Sequence, residues 1–78
     1  MKDLVSFLAK NIVDKPSSVK IDEETQNGAT ILKLTVDKED MGKIIGKRGR
    51  IIKSLRSILK IKAIKSGKKA FLQIQEQE

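Results

Sequence analysis

IIGKRGRIIKSL, residues 44–55, is the stretch on which the fold turns. Aliphatic residues at helical spacing stand on both sides of Gly46 and Gly49, and Lys47 and Arg48 lie between the two glycines. The helical pattern then resumes at once. Ile51, Ile52, Leu55, Ile58 and Leu59 form its apolar side, and Lys53, Arg56 and Lys60 form the other. The reading is two short helices joined by a sharp turn. Gly46 stands where a helix C-terminus commonly needs a left-handed residue, which glycine adopts without a Cβ penalty. Gly49 stands at the start of the next helix, where the first backbone N–H groups have no internal partner. A phosphate brought to such a turn meets free donors and the positive end of a helix dipole. Taken alone, G-x-x-G is a weak signal, because a bare corner with solvated cations has the same letters.

Working outward, Asp37 is placed to cap the first of these helices, with Glu39 and Asp40 in its first turn, where the dipole favours negative charge. Ahead of it, Ser18 to Glu24 and Thr30 to Val36 alternate as strands, with Leu32, Leu34 and Val36 on one face. Asn27-Gly28 between them is the signal of a tight hairpin. Leu4, Val5, Leu8 and Ile12 mark an amphipathic first helix, stopped by Asp14-Lys15-Pro16. Downstream, Ser66-Gly67 ends the basic helix, and Ala70, Leu72 and Ile74 alternate with Phe71, Gln73 and Gln75 in a last strand. Residues 76–78 are expected to fray. The order is α-β-β-α-α-β in one domain, 1–78, a two-layer α+β architecture with helices on one face of a three-stranded sheet.

The charge is distributed unevenly. Residues 1–40 carry six lysines against eight acids, a net of −2, whereas residues 41–78 carry eleven cations against Glu76 and Glu78, a net of +9. No acid occurs between Met41 and Gln75. One-sided clustering of this kind is the footprint of a polyanion binder. The chain has no cysteine and no histidine, which removes disulfides, thiol nucleophiles and the usual general base, so it reads as a non-enzyme without cofactor. The opening segment lacks the pattern of a signal peptide, and no stretch approaches the about 20 apolar residues of a membrane span. A soluble cytoplasmic protein is the expectation.

At this point the residues resemble the KH domain. Ile44-Ile45, the loop Gly46-Lys47-Arg48-Gly49 and the following Ile51, Ile52 and Leu55 correspond to an aliphatic pair, G-x-x-G and an aliphatic helix. An extra helix and strand precede the βααβ core, as in the type II arrangement, and the likeness covers about residues 1–75. A free-standing KH domain of this size resembles the small bacterial single-KH RNA-binding proteins of the KhpA group. The resemblance implies a type II-like KH fold and an RNA-binding protein whose loop clamps the backbone of about four single-stranded nucleotides with little sequence selectivity. It implies a role in post-transcriptional regulation or as an RNA chaperone. Gly46 and Gly49 would shape the clamp, and Lys47 and Arg48 would meet phosphates. Lys43, Arg50 and Lys53 would be the nearest further contacts, with Ile45 and Ile52 on the groove floor or in the core. No residue separates RNA from single-stranded DNA.

Only Phe7 and Phe71 are aromatic, so a stacking platform of the kind RNA-recognition motifs use is not what this chain offers. Phe71 lies opposite the core face of its strand, where one exposed ring or a packed partner surface would explain it equally. Gly42 to Lys47 differs from a nucleotide-binding P-loop in spacing and in lacking a hydroxyl residue after the lysine. Asp22-Glu23-Glu24 and Asp37/Glu39/Asp40 read as turn, cap and solvated residues, not metal ligands. The alternative is a docking module acting through a homodimer, or through a heteromer with a second, larger KH-containing RNA-binding protein.

Overall fold

The computed structural model describes residues 2–77, with Lys47 in its backbone only. Helix α1 (Lys2–Ile12) turns Val5 and Ala9 onto the sheet, with Val13 buried just beyond its end. Pro16 opens a single 3-10 turn, Pro16–Ser18, and this delays strand β1 to Lys20–Gln26. Strand β2 (Ala29–Val36) pairs with β1 antiparallel. The joint between them is the expected Asn27-Gly28 turn, with φ of 51° and 79°, both left-handed as a two-residue hairpin of this hand requires.

Strand β3 (Lys69–Glu76) pairs with β2 in parallel, so the sheet order is β1-β2-β3 and β3 forms an edge. A parallel pair cannot be closed by a tight turn and needs a crossover. Helix α2 (Lys38–Lys65) supplies it. Asp37 caps its start by accepting from the Glu39 N–H at 2.9 Å. Its end is a Schellman turn: Gly67 has φ 67°, the Lys68 N–H donates to the Ala63 carbonyl at 2.8 Å, and the Gly67 N–H to the Ile64 carbonyl at 3.0 Å. Ile44, Ile52, Leu55, Leu59 and Ala63 of α2 bury onto Leu32, Leu34 and Val36 of the central strand and Leu72 of β3. The helices lie on one face of the sheet, and Phe71, Gln73 and Gln75 point away from it.

Two expectations are corrected. Asp40 is not solvated; it is 1% exposed and accepts from the backbone N–H groups of Asp14 at 2.9 Å and Lys15 at 3.0 Å. The chain leaving α1 turns sharply towards Pro16, so these amides lack helical partners, and a carboxylate one turn into α2 meets both. Around this latch, Lys15 pairs with Glu39 at 3.1 Å and Lys43 with Asp14 at 3.1 Å. The hydrogen bond to Glu39, then the charge of Asp37, raises the Lys15 pKa above its ordinary value, so the pair persists until strongly alkaline pH. Ile58 is 40% exposed, not buried, because α1 and α2 do not close on each other there. It rims a cavity of about 200 Å³ with Leu8, Ile12 and Ile51. Strand β3 runs through Glu76, and the Gln77 N–H donates to the Val36 carbonyl at 2.8 Å. Glu78 lies outside the described residues.

The latch makes a stability prediction. Asp40→Ala leaves two amides without their acceptor and should lower the unfolding free energy by about 2–4 kcal/mol. Asp40→Asn, which keeps one acceptor oxygen, should cost less. Urea denaturation followed by circular dichroism measures both, and equal midpoints for Asp40→Ala and wild type would show that the latch contributes nothing.

Candidate functional site

The expected joint between two helices exists, but it is built differently from the sequence reading. Helical structure is assigned without interruption from Lys38 to Lys65, yet Arg48 and Gly49 have φ of 63° and 70°. Two successive left-handed residues redirect the helix path, so α2 is two segments meeting at residues 48–49. The left-handed position expected at Gly46 therefore falls two residues later. Gly49 needs its glycine for φ, and a Cβ there would meet the Ile52 Cγ2 at 3.4 Å. Arg48 adopts the same region with a full side chain, a conformation that costs an L-residue about 1–2 kcal/mol. Its exposed guanidinium is thereby carried on the tip of the joint.

Gly46 is the more telling residue. It remains helical, and a Cβ built on it would meet nothing within 4 Å; the same holds for Gly42, one turn earlier. Glycine inside a helix costs about 0.5–1 kcal/mol relative to alanine. The fold thus carries a destabilising residue at Gly46 with no turn or close packing to require it. What the glycine does provide is a bare stretch of helix surface beside the cationic tip.

The remaining candidate residues divide by position. Arg48, Arg50 and Lys53 are exposed, and none is ion-paired among the described residues. Lys43 is exposed too, but its ammonium is held by Asp14 on the α1 side. Ile45 is 45% exposed beside the joint, whereas Ile52, at 7%, belongs to the core and props Gly49 from beneath. Leu55 is buried and Ile51 half-buried against the same core. The side chain of Lys47 lies outside the described residues.

From the joint, the second segment of α2 runs back along the edge strand, and the two enclose a groove of about 540 Å³. Arg56, Lys60 and Ile64, each one turn apart, line the helix side, and Lys68 and Lys69 line the strand side. The Arg56 Nε donates to the Leu72 carbonyl at 3.4 Å and so spans the groove between helix and edge strand. The resemblance implies a groove between the second helix and a sheet edge, but the sequence reading did not name these lining residues. The i, i+4 spacing of Arg56, Lys60 and Ile64 was visible, but which flank of the helix meets a strand edge depends on β3 pairing with β2. The described ion pairs draw every carboxylate from residues 14–39, through Lys15, Lys33 and Lys43. The groove and the joint therefore carry cations that no described carboxylate answers. No described helix is long and apolar enough to cross a membrane.

Comparison with known proteins gives a consistent picture. The family model described as KhpA/KhpB, KH domain, matches residues 2–74. The RNA-binding protein KhpA of Clostridium perfringens is 49% identical over 74 residues, which cover 95% of this chain and 99% of that protein. The RNA-binding protein KhpA of Aquifex aeolicus is 40% identical over 76 residues, covering 97% and 96% respectively. Among solved structures, Era in complex with MgGDPNP and nucleotides 1506–1542 of 16S ribosomal RNA is similar in fold, with a TM-score of 0.56 and 22% identity. That match covers 96% of this chain but 29% of the Era chain.

The two loop glycines should respond to alanine in opposite directions. Gly46→Ala should raise the unfolding free energy by about 0.5–1 kcal/mol, because it gains helix propensity in open space. Gly49→Ala should lower it by about 1–2 kcal/mol through its left-handed φ. Thermal melts of the two variants against wild type test this, and shifts of the same sign would contradict the assigned geometry.

Proposed function

The chain belongs to the KhpA/KhpB KH-domain family, and from that premise we propose that it is an RNA-binding protein that clamps about four single-stranded nucleotides at residues 46–49. The observation that carries this reading is Gly46, a glycine that the fold does not require, set beside cations without carboxylate partners. A sugar-phosphate backbone can lie directly on the bare helix surface at Gly46, which a Cβ would hold away. Lys47 and Arg48 meet its phosphates, with the N–H donors at the start of the second helical segment behind them. Arg50 and Lys53 continue the charged track towards Arg56. Lys43 is a more distant contact: its exposed pair with Asp14 is worth at most about 1 kcal/mol, so a phosphate can displace the carboxylate. Ile45 offers an apolar edge to a sugar or base, while Ile52 acts from inside by holding Gly49 in place. The bases turn into the groove between α2 and β3.

Binding by phosphate contact predicts little sequence selectivity and strong salt dependence. It also gives no means of telling RNA from single-stranded DNA at these residues. A cytoplasmic post-transcriptional regulator or RNA chaperone fits such behaviour. A second property, association with another copy or with a larger KH-containing partner, is favoured by Ile58 and Ile61, which are 40% and 57% exposed. Pairing two weak sites would raise avidity through effective concentration.

Titration of a fluorescent single-stranded RNA at two salt concentrations tests the clamp. Lys47→Asp/Arg48→Asp should weaken binding at least about tenfold and flatten the salt dependence, by roughly 0.7 in the log–log slope for each phosphate that is no longer neutralised. Gly46→Ala should also weaken binding despite its gain in stability. RNA affinity unchanged in both variants would leave the loop as a corner and the protein as a docking module.

A further inference from the structure

Lys43 is the exception in the acid-free stretch. Of the described cations between Met41 and Gln75, it alone is held by a carboxylate, that of Asp14 at 3.1 Å. That carboxylate is mounted on anchored backbone. Val13 is buried, and the N–H groups of Asp14 and Lys15 both donate to Asp40, so the peptide bearing the Asp14 side chain is held against α2. Lys43 stands three residues after Asp40 and three before Gly46, spacings that make all three neighbours on one side of the helix. Two anions can therefore claim its ammonium. One is Asp14, already in place at the end of α1; the other is a phosphate seated at Gly46, about 4.5 Å further along the helix axis.

The fold has little use for this pair. Asp40 and the contact between Lys15 and Glu39 already tie the end of α1 to α2. The Asp14 carboxylate is 80% exposed, and exposed ion pairs add little to stability. What the pair does change is the charge that a strand meets at the joint. It neutralises one cation and fixes a negative charge beside the helical segment that carries Gly46. It also aims the ammonium at α1 and away from the cationic tip, so it does not preposition Lys43 for a ligand. We infer that Asp14 is a built-in competitor of the bound strand: it occupies Lys43 in the free protein and holds the affinity of the clamp below what its cations would otherwise give. This inference rests on the RNA-binding reading and assigns control of that site to a residue at the end of α1. Because the two anions exclude each other at Lys43, each weakens the other's hold by the same factor.

The test titrates a fluorescent single-stranded RNA of about eight nucleotides at several salt concentrations. Asp14→Asn keeps the side-chain shape and the backbone N–H that donates to Asp40. It should tighten binding about two- to fivefold at low salt, the equivalent of one exposed ion pair. It should also steepen the log–log salt slope by roughly 0.7, for one further phosphate neutralised. The urea midpoint should stay nearly unchanged, and a purely structural role would not move the slope. Lys43→Gln should weaken binding, and in that background Asp14→Asn should gain almost nothing, which closes a double-mutant cycle. Equal affinity and slope for Asp14→Asn and wild type overturn the competitor and leave the clamp standing. A gain that persists in full beside Lys43→Gln means that the carboxylate acts through its field alone, and this overturns the assignment too. If wild type binds no RNA, the RNA-binding reading fails together with the inference.

Discussion

The structure depends on one pairing: β3 lies parallel to β2. The chain leaves β2 at Val36 and must re-enter the sheet at Lys69, opposite Ala29, at the other end of the same strand. Everything between is crossover. A straight helix of the 28 residues in α2 would be about 42 Å long, whereas the eight residues of β2, along which the crossover must return, span only about 26 Å. The helix therefore has to break, and Arg48-Gly49 is the break. The loop that bears the cations is in this sense a geometric by-product of sheet topology. Its position at one end of the sheet follows from the same requirement, as does the groove formed when the returning segment of α2 runs beside an unpaired strand edge.

Charge is arranged to match. The carboxylates of residues 14–39 tie the joint between α1 and β1 to the start of α2 and brace the hairpin, and they take Lys15, Lys33 and Lys43 as partners. Among the described residues, the cations of the crossover beyond Lys43 and of early β3 have no carboxylate partner. Surface ion pairs add little to stability, so pairing these cations would gain the fold almost nothing. Leaving them unpaired keeps a continuous positive track from Arg48 past Arg56 to Lys69.

What could be read in the sequence was what backbone conformation forces on residue type. Asn27-Gly28, Asp37 and Gly67 each sit where a turn, cap or helix end has a specific chemical demand, and each was found where the pattern placed it. The alternation of Leu32, Leu34 and Val36 likewise marks the buried face of the central strand. The failures share a different cause. Asp40 looks like one more acid in a helix's first turn until the end of α1 is brought over it. Ile58 continues an apolar helix pattern, but burial there depends on how closely α1 approaches. Arg48 gives no sign of a left-handed φ, because arginine has no preference for that region. These features depend on contacts between distant segments, which periodicity does not encode.

The first segment of α2 is held firmly at one end only. Asp37 caps it and Asp40 is anchored to the chain beyond α1, but further along Gly42 and Gly46 weaken the helix, and Ile44 is its one fully buried apolar side chain before the joint. Each such glycine lowers the local free energy of opening by about 1 kcal/mol. Residues 42–49 therefore form a low-stability unit that can open while the segment from Ile52 to Ala63 stays closed. Hydrogen exchange is where this would register, as lower protection of the amides of residues 42–49 than of those from Ile52 to Ala63. A phosphate backbone seated on this segment would meet a surface able to adjust its curvature, anchored at Asp40 and pivoting at Gly49.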